Sequence, residues 1–245
     1  MDNKRNRMAK ANAATVRANQ QVAANAPSGL AESLPSLTSQ YQPSVTNDPR
    51  NFYIKSGVPK RHQKKLDESQ SPDAWVKVRD RVVTSIGEGF IFALVGARGP
   101  GKTQIAEQAI RWCSGKGVAR SSLYVRAMEV FLRVRACYKP DTPETEVAVV
   151  ETFCAPQFLV IDEFQERGDT AWEDRMLNYI VDRRYGDMRD TLIIANLTEK
   201  AFRESAGPSI VSRLVETGAI IECAWPSMRT AHSANGGPPP RATRP

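Results

Sequence analysis

The stretch FIFALVGARGPGKT, residues 90–103, decides the fold of this chain. Its last eight residues, which begin at Gly96, fill the pattern G-x-x-x-x-G-K-[ST] of a phosphate-binding loop. The six residues before Gly96 are all apolar, which is typical of a strand buried on both faces. The residues after the loop, TQIAEQAIRWC, have helical apolar spacing. The motif therefore lies between a strand and a helix, as its mechanism requires.

Each position of this loop has a chemical role. Glycines let the backbone turn tightly, so that successive N–H groups and the N-terminus of the next helix face an anion. We expect the Lys102 ammonium to reach the β- and γ-phosphates of ATP, and the Thr103 hydroxyl to bind Mg²⁺. A glycine-rich turn that binds nothing is the alternative. The predicted nucleotide-binding residues are Gly96, Ala97, Arg98, Gly99, Pro100, Gly101, Lys102 and Thr103.

The positive charge of the chain is concentrated near its N-terminus. The net charge is +7 over 245 residues. Residues 1–65 contain 11 Lys and Arg against 3 Asp and Glu, a net charge of +8, so residues 66–245 carry −1. Residues 1–50 have few large apolar side chains, which predicts a disordered basic arm. Such an arm suits nucleic acid or an acidic protein surface, and a solvated tail is the alternative.

Cysteine spacing and hydropathy exclude several classes of protein. The 4 cysteines are far apart, with no C-x-x-C pair and no histidine placed to complete a metal site, so we expect buried thiols in a reducing compartment. No apolar run approaches the length of a membrane span, and no signal-peptide core follows the basic start. These features predict a soluble, cytoplasmic protein without membrane contact; a transit peptide in residues 4–17 is the alternative.

The sequence after residue 50 alternates apolar strand patterns with helical patterns. Besides the P-loop strand, the expected strands are 122–127, 157–164, 191–196 and 219–225. The expected helices are 75–86, 103–113, 127–138, 144–154, 171–185, 199–204 and 208–216. This alternation predicts a three-layer α/β fold of the P-loop NTPase type, with a central parallel sheet. We expect one ATPase domain over residues 51–230 and a disordered tail over residues 231–245.

Two carboxylates end the apolar run FLVIDE. Asp162 and Glu163 are expected at the carboxyl edge of the sheet, in the ligand crevice beside the phosphate loop. Asp162 is placed to hold Mg²⁺ through water, and Glu163 to orient and deprotonate an attacking water. Together they predict hydrolysis, and two acids that merely mark a strand end are the alternative. Because a strand pattern at 122–127 intervenes, we do not expect Asp162 on the strand that follows the P-loop strand in sequence.

Two further residues resemble functional positions of the AAA+ ATPases. Asn196 ends the strand pattern TLIIAN, like the sensor-1 asparagine that contacts the γ-phosphate or the water. Arg213 lies in the helical pattern SIVSRLVE, where AAA+ proteins present an arginine finger to a neighbouring subunit. An arginine supplied in this way stabilises transition-state charge and couples hydrolysis to assembly. A polar strand end and a solvated helix face are the respective alternatives.

Seven motifs taken together resemble the bacterial DnaC-type replicative helicase loaders over about residues 56–229. The motifs are SGVPKRHQ (56–63), GARGPGKT (96–103), LVIDEF (159–164), IVDRRYGDMR (180–189), TLIIAN (191–196), SIVSRL (209–214) and WPSMR (225–229). The first and last are more telling than the P-loop, because many ATPases share a P-loop and few combine it with these flanking motifs.

This resemblance implies an AAA+ core without the usual helical lid domain. It also implies the use of ATP and Mg²⁺, a homo-oligomer in the ATP state, binding to single-stranded DNA and delivery of a replicative ring helicase. Arg229, in the last motif, is implied as a second nucleotide-sensing arginine, with an ordinary surface residue as the alternative. Residues 1–50 do not match the structured helicase-gripping region of the loaders, so helicase contact rests on analogy.

Two other functions stay open from the sequence. The IstB-type transposition ATPases share the core but usually carry a second aspartate where Glu163 stands, so the loader is favoured. A non-hydrolysing nucleotide switch that binds ATP and a partner belongs to a different class. Small-molecule phosphoryl transfer is disfavoured because no acceptor-binding lid is visible.

Basic and aromatic residues after the second strand are what a groove for single-stranded DNA requires. They are Arg126, Arg133, Arg135 and Lys139, with Phe131 and Tyr138 interleaved. A solvated basic face with two core aromatics is the alternative.

Overall fold

A five-stranded, wholly parallel sheet forms the centre of the fold in the computed structural model. The strands are β1 (Ile91–Val95), β2 (Ser122–Arg126), β3 (Phe158–Asp162), β4 (Asp190–Ile194) and β5 (Ala219–Glu222). Their order across the sheet is β2-β3-β4-β1-β5. β4 therefore separates the P-loop strand β1 from β3, which ends in Asp162. Because β2 comes between them in sequence, Asp162 is not on the strand that follows the P-loop strand, as expected.

The structure describes residues 56–63, 71–115, 121–139, 142–168 and 170–228. The predicted basic arm (1–50) and the predicted tail (231–245) lie outside these residues, as does Arg229. All described residues fall within one compact unit, residues 44–245. None of the described helices is both long and apolar enough to cross a membrane.

Six α-helices and one short 3₁₀ turn accompany the sheet in the described part of the chain. The 3₁₀ turn is Lys60–His62, and the helices are α1 (Asp73–Thr84), α2 (Lys102–Gly115), α3 (Ala127–Ala136), α4 (Glu146–Cys154), α5 (Ala171–Gly186) and α6 (Glu199–Thr217). Threonine side chains accept hydrogen bonds from the first-turn N–H groups of α4, α5 and α6. Such caps satisfy donors that have no partner inside a helix.

Two apolar clusters show that the sheet is covered on both faces. Side chains of α3, α4, α5 and α6 pack with one set of strand residues, which includes Ile91, Ala93 and Val95 of β1. Side chains of α1 and α2 pack with the alternate set, which includes Phe92 and Leu94. Neighbouring residues of a strand point to opposite faces, so β1 is buried on both. The predicted three-layer α/β fold is confirmed.

The structure moves several of the predicted element boundaries, and β4 ends at Ile194 where the prediction ended at residue 196. The two helices predicted at 199–204 and 208–216 are both present within α6, where they are separated by non-helical backbone at Gly207, with φ +76° and ψ 166°. Pro208 follows, and proline has no N–H to continue the helical hydrogen bonds. The third and fifth strands are shorter than predicted, because the chain turns away at Glu163 and after Glu222.

The cysteines agree with the expectation of buried thiols at three positions. Cys113, Cys154 and Cys223 are buried, whereas Cys137 is half-buried, and all four are free. Burial raises the pKa of Cys154 to about 11 and that of Cys223 to about 12. Both thiols therefore stay protonated at neutral pH, which makes them poor nucleophiles.

Candidate nucleotide-binding site

The phosphate loop connects β1 to α2 at the carboxyl edge of the sheet. The Gly96 N–H donates to the Leu197 carbonyl at 2.7 Å, which fastens the start of the loop to the chain that leaves β4. Positive φ angles occur at Gly96 (124°), Gly99 (112°) and Gly101 (83°), a region that residues with a Cβ rarely adopt. Because α2 begins at Lys102, the N-terminal N–H groups of this helix lie at the end of the loop.

Lys102 is buried within the curve of the loop. Its ammonium donates to the carbonyls of Gly96 at 2.8 Å and Ala97 at 2.7 Å, and the residue is only 4% exposed. Both acceptors belong to the first turn of the loop itself. The predicted contact of this ammonium with a phosphate stays a prediction.

Asp162 joins the sheet to the phosphate-loop helix. Its Oδ2 accepts hydrogen bonds from the Thr103 hydroxyl at 2.8 Å and from the Tyr124 hydroxyl at 2.7 Å. Its Oδ1 accepts from the Glu163 N–H at 2.6 Å. Hydroxyl and carboxylate oxygens are the ligands that Mg²⁺ prefers, and Mg²⁺ commonly takes one or two carboxylates together with substrate phosphates. The side-by-side oxygens of Thr103 and Asp162 fit that chemistry.

Tyr124 is a site residue that the sequence analysis did not identify. Burial, reinforced by the negative charge of Asp162, raises the pKa of its hydroxyl. The hydroxyl therefore remains protonated and donates to Asp162. The only sequence signal was a tyrosine in the strand pattern SLYVRA, which is not specific enough to predict this contact.

Glu163 lies at the turn where the chain leaves β3. Its φ is +53°, an uncommon region for a residue other than glycine, and such values occur preferentially at functional sites. Its carboxylate forms an ion pair with Arg126 at the end of β2, with Nε and Oε2 separated by 3.2 Å. Arg126 also contacts Glu129 in the first turn of α3. The carboxylate of Glu163 is thus directed toward β2.

Asn196 follows β4 at the same edge of the sheet. Because β4 lies between β1 and β3, Asn196 leaves the sheet between the phosphate loop and the strand of Asp162. Its backbone N–H donates to the side-chain oxygen of Gln165 at 2.8 Å. Gln165 was not identified from sequence, and it connects the turn after β3 to the end of β4.

Arg213 contacts groups of its own chain on α5 and α6. It forms an ion pair with Asp182, and its guanidinium carbon lies 5.4 Å from the ring centroid of Tyr185. It also donates to the carbonyl and the hydroxyl of Ser209, each at 2.7 Å. The side chain is 24% exposed. An arginine finger at this position would have to exchange the Asp182 pair for a contact with another subunit.

The motif SGVPKRHQ packs against the phosphate-loop helix. The Gln104 side chain donates to the His62 carbonyl at 3.2 Å, and Arg111 donates to the Gln63 carbonyl at 3.3 Å. Gly57, with a φ of +77°, lies so close to β2 that a Cβ there would be 2.6 Å from the Tyr124 carbonyl oxygen. This motif is therefore part of the surroundings of the phosphate loop.

The predicted groove for single-stranded DNA needs a correction at Phe131. This ring is fully buried and packs against Trp172, with centroids 5.9 Å apart, so it belongs to the core. Arg135 forms an ion pair with Glu173 at 3.0 Å, and Arg133 lies over the Phe153 ring. Tyr138 is 58% exposed, as a base-stacking ring would need to be.

Three curated relatives share about a quarter of the aligned sequence, whereas no family model matches the chain. The replicative helicase loader DnaC of Buchnera aphidicola (subsp. Acyrthosiphon pisum) is 26% identical over 125 residues, 51% of this chain and 49% of that protein. DnaC of the subspecies Schizaphis graminum is 25% identical over 125 residues, again 51% of this chain and 49% of that protein. The uncharacterised protein YdaV of Escherichia coli K12 is 27% identical over 56% of this chain and 54% of its own length. The chain thus spans about half the length of these relatives.

Solved structures of replication proteins have the same fold. The crystal structure of the DnaC helicase loader has a TM-score of 0.57 at 18% identity, covering 67% of this chain and 99% of that one. DnaI has a TM-score of 0.52 at 18% identity, covering 67% and 93%. The replication initiator DnaA bound to AMPPCP and single-stranded DNA has a TM-score of 0.54 at 14% identity, covering 67% of this chain and 50% of that one. This chain is thus similar in sequence to the DnaC-type replicative helicase loaders over about half of its length, and it shares the parallel α/β P-loop fold of the solved DnaC and DnaI structures.

Proposed function

We propose that this protein is an ATPase that loads a replicative ring helicase onto DNA. The observation that carries the proposal is the 2.8 Å contact between the Thr103 hydroxyl and Asp162. It brings the end of the phosphate loop to the acidic end of β3, in a chain similar to helicase loaders. The curated relatives named as loaders support helicase loading as the purpose of that site.

The residues of the loop bind and orient the triphosphate in this proposal. The N–H groups at the start of α2 and the Lys102 ammonium contact the phosphate oxygens. Thr103 and Asp162 would hold Mg²⁺, Asp162 through water, and the cation would supply positive charge beside the phosphates. Tyr124 fixes the orientation of the Asp162 carboxylate through its hydrogen bond. The negative charge of the substrate is thus balanced by groups that the fold already holds in place.

Glu163 orients the attacking water and accepts its proton. For this step the carboxylate must release Arg126, which holds it toward the end of β2. The exposed ion pair is weak, because both side chains are more than 40% exposed and solvent screens their charges. Asn196, which leaves the sheet between the two motifs, contacts the γ-phosphate or the water.

Arg213 acts on the ATP site of a neighbouring subunit when the protein assembles with ATP bound. This role requires the guanidinium to leave Asp182, so assembly and the Asp182 contact compete for one side chain. Arg229, which lies outside the described residues, remains a prediction as a second nucleotide-sensing arginine. The exposed basic side chains of α3, together with Tyr138, contact single-stranded DNA.

A nucleotide switch that binds ATP without turnover is the second candidate. The ion pair between Glu163 and Arg126 favours it, because a base that stays paired does not accept a proton from water. The two candidates share the binding site and differ in whether Glu163 is released. Hydrolysis measured with and without partners distinguishes them.

The mass of the complex with the replicative helicase of the same genome tests the loader proposal. Light scattering after size exclusion, with ATP and without nucleotide, measures that mass. We expect a stable complex that releases this protein when single-stranded DNA and ATP are added. Absence of a complex under both conditions would reject helicase loading, and a complex with a transposase encoded nearby would support the IstB-like alternative.

A further inference from the structure

Three consecutive carbonyls of the phosphate loop each accept a hydrogen bond from outside the loop. The pairs are Met228 N to Gly99 O at 3.0 Å, Trp225 Nε1 to Pro100 O at 2.7 Å, and Trp75 Nε1 to Gly101 O at 3.2 Å. The donors come from α1 and from the segment 225–228 that follows β5. Trp225 is 125 residues from its acceptor in sequence, so this contact is a product of the fold alone.

Because the peptide group is planar, a hydrogen bond to a carbonyl also sets the direction of the next N–H group. A trans peptide is planar, with the carbonyl of one residue and the N–H of the next on opposite sides. A bond from Trp225 to the Pro100 carbonyl therefore fixes where the Gly101 N–H points. The Gly101 carbonyl accepts from Trp75 and also from the Gln104 and Ile105 N–H groups of α2, so Trp75 adds to helical bonds that already direct the Lys102 N–H. Both N–H groups lie where the loop meets the helix N-terminus, the part that faces an anion.

The bond at Gly99 has a different consequence. The next residue is Pro100, which has no N–H, so no donor toward an anion depends on this peptide. The Met228 N–H instead fastens the segment 225–228 along the outside of the loop. Trp225 is therefore the donor from the segment 225–228 that orients an N–H group of the loop, and Trp75 acts on the next peptide together with α2.

Packing on the outside of the loop leaves these peptides little room to rotate. Trp75 is fully buried, and a Cβ added at Gly101 would lie 2.9 Å from its Nε1 and 2.8 Å from the Met228 sulfur. The Arg79 guanidinium carbon, one turn further along the same face of α1, lies 5.6 Å from the centroid of the Trp75 ring. The indole ring has one N–H donor and no acceptor, so each tryptophan can hydrogen-bond a loop carbonyl only through its Nε1–H.

We propose that Trp225, packed beside the loop with Trp75, is a positioning residue for nucleotide binding, whose indole N–H holds the Gly101 N–H toward the phosphates. This inference rests on the proposed ATP site and adds that its affinity depends on the segment after β5. By thermodynamic linkage, a bound nucleotide must stabilise the docked segment to the same extent. The end of the domain thus responds to occupancy of the phosphate loop.

The substitution Trp225→Phe tests the inference because it removes the N–H and keeps an aromatic ring. We expect the Kd for Mg²⁺-ADP, measured by calorimetry, to rise about fivefold, as for the loss of one hydrogen bond. The KM for ATP should rise by the same factor, whereas kcat at saturating ATP should stay within about twofold. Trp172→Phe is the matched control, since Trp172 packs in the other apolar cluster, and it should leave the Kd unchanged.

Hydrogen exchange at the segment 225–228 gives a second readout that a purely structural role would not change. Mg²⁺-ADP should slow exchange of the Met228 N–H in the wild type and slow it less in Trp225→Phe protein. A Kd that is unchanged in Trp225→Phe, or raised equally in Trp172→Phe, would overturn the inference. Failure of the wild type to bind ADP at all would instead reject the proposed ATP site.

Discussion

The two edges of the sheet both bury charged side chains, but those charges have different kinds of partner. At the amino edge, the fully buried Arg184 donates mainly to backbone carbonyls. At the carboxyl edge, the buried Asp162 accepts from two side-chain hydroxyls and one N–H. Backbone partners at the starts of strands cannot be exchanged without unfolding, whereas side-chain hydroxyls can rotate toward a ligand. The comparison assigns stability to the amino edge and chemistry to the carboxyl edge.

Arg184 shows how completely the amino edge is satisfied. Its acceptors are the carbonyls of Phe153, Cys154, Pro156, Gln157 and Asp190, and the hydroxyl of Thr191. Burial lowers the pKa of Arg184 to about 9, so the guanidinium still carries its charge at neutral pH. The Asp190 carboxylate in turn accepts from the N–H groups of Gly87, Gly89 and Phe90, just before β1. These bonds connect the starts of three strands.

Removal of the Arg184 guanidinium should distinguish most strongly the stabilising role of the amino edge from the chemical role of the carboxyl edge. Arg184→Met leaves several buried carbonyls without a donor, so we expect a loss of about 3 kcal/mol in the free energy of unfolding. The melting temperature should fall by roughly 10 °C. Thermal denaturation followed by circular dichroism measures this. Arg183→Met, at the exposed neighbouring position, is the control and should change it by less than about 2 °C. Equal stability of the two variants would contradict a structural role for the amino edge.

Loss of the Tyr124 hydroxyl should affect activity more than stability. Tyr124→Phe leaves Asp162 with its bonds from Thr103 and from the Glu163 N–H, so the carboxylate stays partly satisfied. We expect hydrolysis at limiting Mg²⁺ to fall about fivefold, the effect of one hydrogen bond. A Mg²⁺ titration of the hydrolysis rate measures this loss.

Tyr185→Phe is the matched control for that variant, because the Tyr185 hydroxyl also bonds a carboxylate, that of Glu216, but on the surface. Hydrolysis by the Tyr185→Phe protein should equal that of the wild type. A Tyr124→Phe protein with wild-type dependence on Mg²⁺ would show that the Tyr124 bond does not serve the cation site.

Release of Glu163 from its ion pair should have the smallest effect. Arg126→Ala frees the carboxylate, and an exposed pair of this kind shifts an equilibrium only a few-fold. We expect the rate of ATP hydrolysis without partners to rise about threefold in steady-state assays. Arg203→Ala, which breaks the exposed pair with Glu199, should leave the rate unchanged. A slower rate in Arg126→Ala would mean that the arginine serves the reaction instead of restraining its base.

The sequence was sufficient where the signal is local. The apolar run before Gly96 and the run that ends at Asp162 predicted β1 and β3, because a strand buried on both faces leaves a continuous apolar pattern. The loop glycines and the acidic end of the run at Asp162 predicted that the candidate site lies at the carboxyl edge of the sheet. Parallel strands place their carboxyl ends on one edge, so residues distant in sequence could be expected together there.

Long-range side-chain contacts could not be predicted in this way. Tyr124 is 38 residues from Asp162, and nothing in the strand pattern around it distinguishes a hydroxyl aimed at a carboxylate. Phe131 satisfied the basic and aromatic pattern of a nucleic-acid groove, but its helix turns that ring into the core. From the sequence, Arg184 was identified only as one residue of the motif IVDRRYGDMR (180–189), without a structural role. Its many acceptors converge because three loops meet at the amino edge, which is a property of the tertiary structure.

The rate of ATP hydrolysis by Glu163→Gln protein, measured beside its ATP affinity, tests most directly whether the carboxyl edge is an ATPase site. The amide has nearly the shape of the carboxylate but does not accept the proton of the attacking water. We expect hydrolysis to fall by a factor on the order of 100 or more, while the Kd for ATP stays within about threefold of the wild type. An unchanged rate of hydrolysis would remove Glu163 from the reaction and contradict this assignment.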